Sequence, residues 1–253
     1  MRVLILGGTG EARALAAALH DRPDTEVTSS LAGRVRDPAL PVGAVRLGGF
    51  GGVAGLTEFL RHHRIDALLD ATHPFAPTIT AHAVAAADEA GVPLLILRRP
   101  GWQPGAGDRW HRVDSIAAAA TFVRQLGAGT VFLTTGRRDL APFADDSGRH
   151  YLIRTVDEPQ TSLPPIHALV LDRGPYTVDG ERDLMRRHGV TVLVTKDSGG
   201  PMTEAKLAAA RELRLPVVMV ERPALPPGEY AAASTVDEAL LWLANVIQDT
   251  SGT

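Results

Sequence analysis

The sequence predicts an α/β protein with two parallel-sheet domains and a cleft between them. Short apolar runs alternate with alanine-rich amphipathic segments along the chain, which is typical of repeated βα units around a parallel sheet. A segment rich in proline and glycine, residues 98–108, interrupts this alternation once. The 253 residues are enough for two domains, each with its own core. We therefore place a domain boundary near residue 100.

The composition excludes several classes of protein. Lys and Arg number 26 against 29 Asp and Glu, a net charge of −3, whereas nucleic-acid-binding proteins usually carry a basic surplus. No apolar run approaches the length of a membrane span, and the opening MRVLILGG is better explained as a strand than as a signal peptide. There is no cysteine and no HExxH motif. We expect a cytoplasmic, metal-free protein without nucleic-acid or membrane partners.

In residues 1–100, short apolar runs predict strands that are buried on both faces. Between them, apolar residues spaced three or four apart predict helices with one buried side. The predicted strands are Val3–Leu6, Glu26–Ser30, Ala44–Leu47, Ala67–Asp70 and Pro93–Leu97, and the predicted helices are Glu11–His20, Leu56–His63 and Thr78–Ala90.

Residues 101–253 repeat this pattern and form the second predicted domain. The predicted strands are Thr130–Thr134, His150–Arg154, Ala168–Leu171, Thr191–Thr195 and Pro216–Val220, and the predicted helices are Ser115–Leu126, Val178–His188, Thr203–Leu213 and Val236–Ile247. The pattern leaves the strand order open, and also whether the two halves exchange a strand near their boundary.

A glycine-rich turn, GGTGEA at residues 7–12, joins the first strand to the first helix. Gly8 and Gly10 match the first two glycines of the dinucleotide fingerprint, but its third position falls on Arg13. Exposed amides at a helix N-terminus attract phosphate, which predicts a Rossmann-like site that includes Thr9 and Glu11. The alternative is an ordinary tight βα turn.

The end of the second strand indicates which dinucleotide would bind. An NAD site usually has Asp or Glu at this point, but this chain has Ser29, Ser30 and Arg34. Hydroxyls and a guanidinium can bind a 2′-phosphate that a carboxylate would repel, so we predict NADPH. The alternative is a solvated loop.

The motif ATHPFA, residues 71–76, follows the fourth predicted strand. Ligands of open parallel sheets gather at the carboxyl ends of the strands, so Thr72, His73 and Phe75 are candidates for contact with the cofactor ring. His73 could also take part in proton transfer, or it could simply orient the turn at Pro74.

Three segments of the second half place hydroxyls, cations and glycines after predicted strands: TTGRRDL, LDRGPYT and TKDSGG. If the strands are parallel, these residues meet at one edge and suit an anionic ligand. The candidate ligands are Thr135, Gly136, Arg137, Arg173, Tyr176, Lys196, Asp197, Ser198 and Gly199. The alternative is a set of ordinary turns with solvated charges.

Taken in order, GGTGEA, SSLAGR, GGFGG, DATHPFA, TTGRRDL and TKDSGG resemble the precorrin-6A reductase family of cobalamin biosynthesis, over residues 3–221. The resemblance implies an NADPH-dependent oxidoreductase that reduces one double bond of a tetrapyrrole (corrin-type) macrocycle to give precorrin-6B. It also implies two Rossmann-like halves with the tetrapyrrole in the cleft. A counterpart in the anaerobic pathway acts on the cobalt-containing macrocycle.

Under this resemblance, residues 1–100 would bind NADPH and residues 101–253 would bind the tetrapyrrole. The proton donor stays open between His73, Tyr176, Lys196 and water, and the oligomeric state is not indicated. Two rivals are a nonenzymatic NADPH-sensing protein and an NADPH-dependent reductase of another small molecule. The second would typically have a Tyr and a Lys about four residues apart on a helix, a pair that we do not find. A methyltransferase would usually have an acidic residue after the second strand.

Overall fold

The structure is a computed structural model that describes residues 1–33 and 40–251. The chain divides into two compact units. The first unit contains residues 1–100 and 223–253, and the second contains residues 101–222.

The strands and helices are numbered in chain order. The strands are β1 (Arg2–Leu6), β2 (Glu26–Leu31), β3 (Ala44–Leu47), β4 (Ala67–Asp70), β5 (Leu94–Leu97), β6 (Trp110–Val113), β7 (Thr130–Leu133), β8 (His150–Thr155), β9 (His167–Leu171), β10 (Val190–Lys196), β11 (Val217–Val220) and β12 (Ala231–Ala233). The helices are α1 (Gly10–His20), α2 (Val53–His62), α3 (Pro77–Ala90), α4 (Ile116–Gln125), α5 (Val178–Arg187), α6 (Ala205–Glu212) and α7 (Val236–Ser251), with short 3₁₀ turns at Ala141–Phe143 and Pro201–Thr203.

The first unit has a six-stranded sheet in the order β12-β5-β4-β1-β2-β3, with every neighbouring pair parallel. Alternate residues of β1 point to opposite faces. Val3 and Ile5 pack in the core cluster that includes residues of α1 and α7, and Leu4 and Leu6 pack in the cluster that includes residues of α2 and α3. Burial on both faces explains why the strand is continuously apolar.

The second unit has an all-parallel sheet in the order β6-β11-β10-β7-β8-β9. Phe132 and Leu193 of the central strands pack with Met185 of α5 and Leu207 of α6. Each sheet therefore has a central pair of strands, β1 with β4 and β7 with β10. From one strand of the pair, the strands that follow it in the chain add towards one side of the sheet, and from the other strand they add towards the opposite side. Ligands of open α/β sheets bind at the carboxyl ends of such a pair.

The two sheets exchange their outermost strands. β12 follows the strands of the second sheet along the chain but pairs with β5, with Ala231 opposite Leu95. β6 follows β5 but pairs with β11, with Trp110 opposite Val217. The assignment of residues 223–253 to the second predicted domain thus differs from the structure, because β12 extends the first sheet and α7 packs against α1. Within the described part of the chain, no helix is long and apolar enough to cross a membrane.

Candidate functional site

The carboxyl ends of β1 and β4 hold the turn of residues 7–10 against the segment that follows β4. Thr9 is buried and links the two, since its Oγ1 donates to the Ala71 carbonyl at 2.7 Å. The same oxygen accepts the Ala12 N–H at 3.1 Å and so caps α1. The Thr9 side chain is therefore committed to the fold, and the backbone of the turn is what it can offer to a ligand.

The glycine turn leaves open space above the start of α1. Gly8 has φ +116°, a conformation that favours glycine, and no atom lies within 4 Å of the position of a Cβ there. Gly10 begins α1, so its neighbouring amides face the N-terminal end of the helix. Glu11 is ion-paired with Arg99 at 2.8 Å, so the acidic residue of the turn is neutralised by a cation of the same unit.

The ends of β2 and β3 form a polar edge beside this turn. Ser29 and Ser30 are buried, and Ser29 Oγ has no hydrogen-bond partner among the described residues. Ser30 lies opposite Arg46 in the β2–β3 register, and Arg46 Nη1 is 3.5 Å from Ser30 Oγ. Arg34, the predicted ligand of a 2′-phosphate, lies outside the described residues.

The sequence prediction did not include Arg46. Its guanidinium lies 3.9 Å from the Phe50 ring centroid and donates to the carbonyls of Gly48 and Gly49, at 2.6 and 2.8 Å. Among the described residues it makes no ion pair with a carboxylate. Arg46 therefore brings a positive charge to the serines that no carboxylate of the described residues pairs with. Its position just before the glycine-rich loop GGFGG was the available signal.

Asp70, the last residue of β4, shapes the ATHPFA segment. Its Oδ1 accepts the Thr72 N–H at 3.0 Å and the Thr72 hydroxyl at 2.7 Å, and its buried Oδ2 has no partner among the described residues. His73 Nδ1 accepts the Phe75 N–H at 3.2 Å, which leaves Nε2 to carry the proton of the neutral ring. The three predicted contact residues thus lie in one ordered turn beside the glycine turn.

In the second unit, the carboxyl ends of β7 and β10 also meet. The N–H and hydroxyl of Thr134 both donate to the Val194 carbonyl, at 3.0 and 3.2 Å. Thr135 is buried with its Oγ1 unpaired in the described structure. Gly136 has φ +96° and no atom within 4 Å of a Cβ position. As in the first unit, the central pair carries a turn with open space above it.

Cations flank this turn, each with a carboxylate partner. Arg137 Nη1 lies 2.8 Å from Asp157, and Lys196 Nζ lies 2.9 Å from Asp139. After Lys196 the chain turns sharply, because the Ser198 N–H donates to the Lys196 carbonyl at 2.7 Å. Gly199 follows with φ +64°.

The side chain of Asp197 makes contacts within the second unit. Its Oδ1 accepts the Trp102 N–H at 2.9 Å, and its Oδ2 lies 3.4 Å from Arg112 Nη1. Its backbone carbonyl accepts Arg222 Nε at 2.7 Å. This carboxylate ties the loop after β10 to the segments around Trp102 and Arg112, and its role as a direct ligand stays a prediction.

The segment after β9 brings Tyr176 back over β8. Arg154 of β8 lies 3.7 Å from the Tyr176 ring centroid and forms a buried ion pair with Glu181. The Tyr176 hydroxyl donates to the Asp172 carbonyl at 3.0 Å. Burial raises the pKa of Tyr176, and the Arg154 charge opposes this only in part. Arg173 is exposed, with its N–H bonded to Asp172 Oδ1 at 2.8 Å.

The comparisons with known proteins agree with this arrangement. The model of the family described as Precorrin-6x reductase CbiJ/CobK matches residues 2–244. The chain belongs to this family. It is 54% identical to the precorrin-6A reductase of Rhodococcus erythropolis over 96% of this chain and 97% of the relative, and 54% identical to that of Mycobacterium tuberculosis over 97% and 98%. The solved structure of CobK precorrin-6A reductase superposes with a TM-score of 0.90 at 42% identity, covering 97% of both chains.

Membership of the CbiJ/CobK family confirms the predicted α/β fold, the oxidoreductase class and the link to cobalamin biosynthesis. The chain is therefore an enzyme, and the alternative of a nonenzymatic sensor was wrong.

Lys206, in the first turn of α6, is a further residue that the sequence prediction missed. It is 3% exposed, and burial lowers its pKa to about 7. The available signal was a lysine at a buried position of an alanine-rich helix.

Proposed function

We propose that this member of the CbiJ/CobK family reduces one carbon–carbon double bond of precorrin-6A with NADPH and so gives precorrin-6B. The observation that carries the proposal is that one chain holds two sheets with equivalent central pairs but different ligand chemistry. The first pair carries an open glycine turn at a helix N-terminus, and the second carries Arg137 and Lys196 beside the open turn at Gly136.

The residues of the first unit fit NADPH. The space above Gly8 suits a pyrophosphate against the N–H groups of α1. Ser29, whose hydroxyl has no partner among the described residues, and Ser30, beside the Arg46 guanidinium, suit a ribose 2′-phosphate. No carboxylate ends β2, so the end of this strand presents no like charge to that phosphate.

When bound, NADPH supplies the hydride. The protein chain binds the cofactor and orients it. Asp70 fixes the turn through Thr72, and that turn presents His73 and Phe75 beside the glycine turn. We place the nicotinamide against these three residues, with the remaining predicted cofactor ligands Thr9, Gly10 and Glu11 at the pyrophosphate end.

The second unit suits a substrate with several carboxylates. Arg137 and Lys196 now face Asp157 and Asp139, so a substrate carboxylate would share or replace those partners. Arg173 adds an exposed cation, Thr135 and Gly136 line the open turn, and Tyr176, Ser198 and Gly199 complete the predicted set. Asp197 holds the loop in place for these contacts.

We propose the metal-free macrocycle as substrate, because the relatives at 54% identity are precorrin-6A reductases. The cobalt-containing macrocycle is the alternative. The cytoplasmic location and the lack of nucleic-acid partners stay predictions.

The test is a fluorescence titration of the purified protein with NADPH and with NADH, followed by anaerobic turnover of precorrin-6A. We expect at least tenfold tighter binding of NADPH, in line with one charge-assisted contact to the 2′-phosphate. Turnover should consume NADPH and add two hydrogen atoms to the macrocycle, read by mass spectrometry. A folded protein that binds NADPH but leaves precorrin-6A unchanged would contradict the proposed reaction, and reduction of only the cobalt form would contradict the proposed substrate.

A further inference from the structure

A cleft opens at the amino edge of the first sheet, at the opposite end of β1 from the glycine turn. It has a volume of about 420 Å³, and its described lining residues all belong to the first unit. β1 and β2 begin beside it with Arg2 and Glu26, and α2 ends beside it with His62. Because a strand rises about 3.3 Å per residue, the five residues of β1 separate this edge from the edge proposed for NADPH by about 13 Å.

The end of α2 supplies a wall of rings to this cleft. Phe59 and His63 are four residues apart and so lie on one side of the helix end, with ring centroids 4.1 Å apart and an interplanar angle of 31°. The His62 ring meets that of His63 edge-on, with centroids 5.0 Å apart. Both histidines are exposed, whereas Phe59 is half-buried. Such rings can stack against a flat ligand, as aromatic side chains do with nucleobases.

Basic side chains outnumber acidic ones in the cleft. Among its described lining residues the one carboxylate belongs to Glu26, which lies 3.5 Å from Arg2 Nε. Arg2 Nη1 also donates to the His63 carbonyl at 3.5 Å. Arg64 forms no ion pair, and the Thr28 hydroxyl makes no hydrogen bond, within residues 1–33 and 40–251. A guanidinium without a counterion, beside exposed imidazoles, offers charge-assisted hydrogen bonds to an anion.

We propose that this cleft binds a small anion that carries a flat ring, as a nucleoside monophosphate does. The phosphate binds Arg64 and shares Arg2 with Glu26, and the base lies against the rings of Phe59 and His63. The volume is within the range of small-molecule pockets, about 300–1,000 Å³. The site is separate from that of NADPH, and it does not depend on the proposed reaction.

Arg64 allows a variant that removes a cation from the cleft without straining the backbone. The residue follows α2 with φ +50°, the left-handed conformation that Gly189 adopts after α5 with φ +57°. The lower strain of glycine there offsets its greater freedom in the unfolded chain, so Arg64→Gly should change the melting temperature little. Arg214 follows α6 with φ +55° and does not line the cleft, which makes Arg214→Gly the matched control.

The experiment is a calorimetric titration of the full chain with adenosine 5′-monophosphate, adenosine or inorganic phosphate, with NADPH present at saturation to fill the cofactor site. We expect the monophosphate to bind one site with a dissociation constant of about 1 mM or lower. Adenosine and phosphate should each bind at least about tenfold more weakly, because each makes only part of the contacts.

The variants assign the two parts of the ligand. Arg64→Gly should weaken binding of the monophosphate about tenfold or more, as for the loss of a charge-assisted hydrogen bond, and Arg214→Gly should leave it unchanged. His63→Leu should weaken binding of the monophosphate and of adenosine, but not of inorganic phosphate, because it removes a ring and keeps both guanidinium groups.

Three results would overturn the site: no saturable binding of the monophosphate, equal binding by Arg64→Gly and the wild-type protein, or binding that NADPH abolishes. The last would show that the monophosphate had occupied the cofactor site. In a protein that proved not to bind NADPH, the same titrations without the cofactor would test the cleft, so failure of the proposed function leaves this test intact.

Discussion

The carboxyl edges of the two sheets share a strand order but differ in what they offer a ligand. At the first edge, β1 leads directly into α1, so the edge presents backbone N–H groups and open space above Gly8. At the second edge, β7 leads into a turn and a short 3₁₀ helix, and the charge comes from side chains such as Arg137 and Lys196. Under the proposed function, the first edge would bind a diphosphate through its main chain, and the second would bind several carboxylates through its side chains.

The largest predicted effect concerns Lys206, which is buried in the second unit. Its pKa is about 7 in the folded protein and 10.5 in a free lysine, so the unfolded chain binds more protons between these pH values. The stability of the wild-type protein relative to Lys206→Met should rise through this range, by on the order of 5 kcal/mol, since a tenfold difference in proton affinity is about 1.4 kcal/mol. Denaturant unfolding at several pH values measures it, and a difference between the two proteins that stays constant with pH would contradict it.

A charge reversal at Lys196 tests whether the two edges bind their ligands independently. In Lys196→Glu a second carboxylate stands beside Asp139, where the ammonium now lies at 2.9 Å. We expect KM for the tetrapyrrole to rise about 100-fold or more, with the affinity for NADPH changed by less than about twofold, because the loss of a charge pair costs several kcal/mol at its own site. Steady-state kinetics and a fluorescence titration measure the two values. An equal loss of both affinities would show that the edges do not act independently.

Arg46→Gln tests whether the first edge also needs a side-chain cation. The variant removes the charge beside Ser30 and keeps an amide that can still donate to the Gly48 carbonyl. The dissociation constant for NADPH should rise about 10- to 100-fold, as for the loss of a hydrogen bond to a charged group, whereas that for NADH should change little. Parallel titrations with NADPH and NADH give the ratio of the two dissociation constants. If both cofactors lose affinity alike, Arg46 supports the loop rather than the 2′-phosphate.

The smallest effect tests the main chain of the first edge. A Cβ added at Gly10 would meet only Arg13 Nη2 at 3.9 Å, so the fold accepts Gly10→Ala and any loss of binding reports on the ligand. We expect the affinity for NADPH to fall about tenfold, from a diphosphate held away from the helix N-terminus. Gly127→Ala is the matched control, since nothing lies within 4 Å of its Cβ position. Unchanged NADPH affinity and turnover in Gly10→Ala would show that the pyrophosphate binds elsewhere.

The predictable part of the fold was the part with a local signal. Apolar runs such as residues 3–6 and 67–69 are buried on both faces of a parallel sheet and have no other stable place. β6 and β12 were missed because both are short: WHRV has two polar residues in its centre, and AAA has no β-branched residue and is equally typical of a helix. Their strand character comes from pairing with β11 and β5, which lie far away in the chain.

The candidate site residues divide in the same way, into those with a local sequence signal and those without one. Residues in loops directly after a predicted strand, such as Gly8, His73 and Lys196, could be placed at an edge from the alternation of strands and helices. Arg46 and Lys206 depend on burial and on distant neighbours, Ser30 and Trp102. A sequence pattern cannot show that a charge lacks a partner, because that property belongs to the packed structure.

The exchange of outer strands also determines the order in which the two sheets can be completed during synthesis. Residues 101–222 form an uninterrupted stretch that contains every strand of the second sheet, inserted between β5 and β12 of the first. As the chain leaves the ribosome, the later sheet can therefore be completed while the earlier one still lacks its edge strand and the buried face of α7, including Ala239 and Leu243. Until residues 231–243 emerge, β5 is an exposed edge open to pairing with other strands, so the half that is made first is the last to be protected.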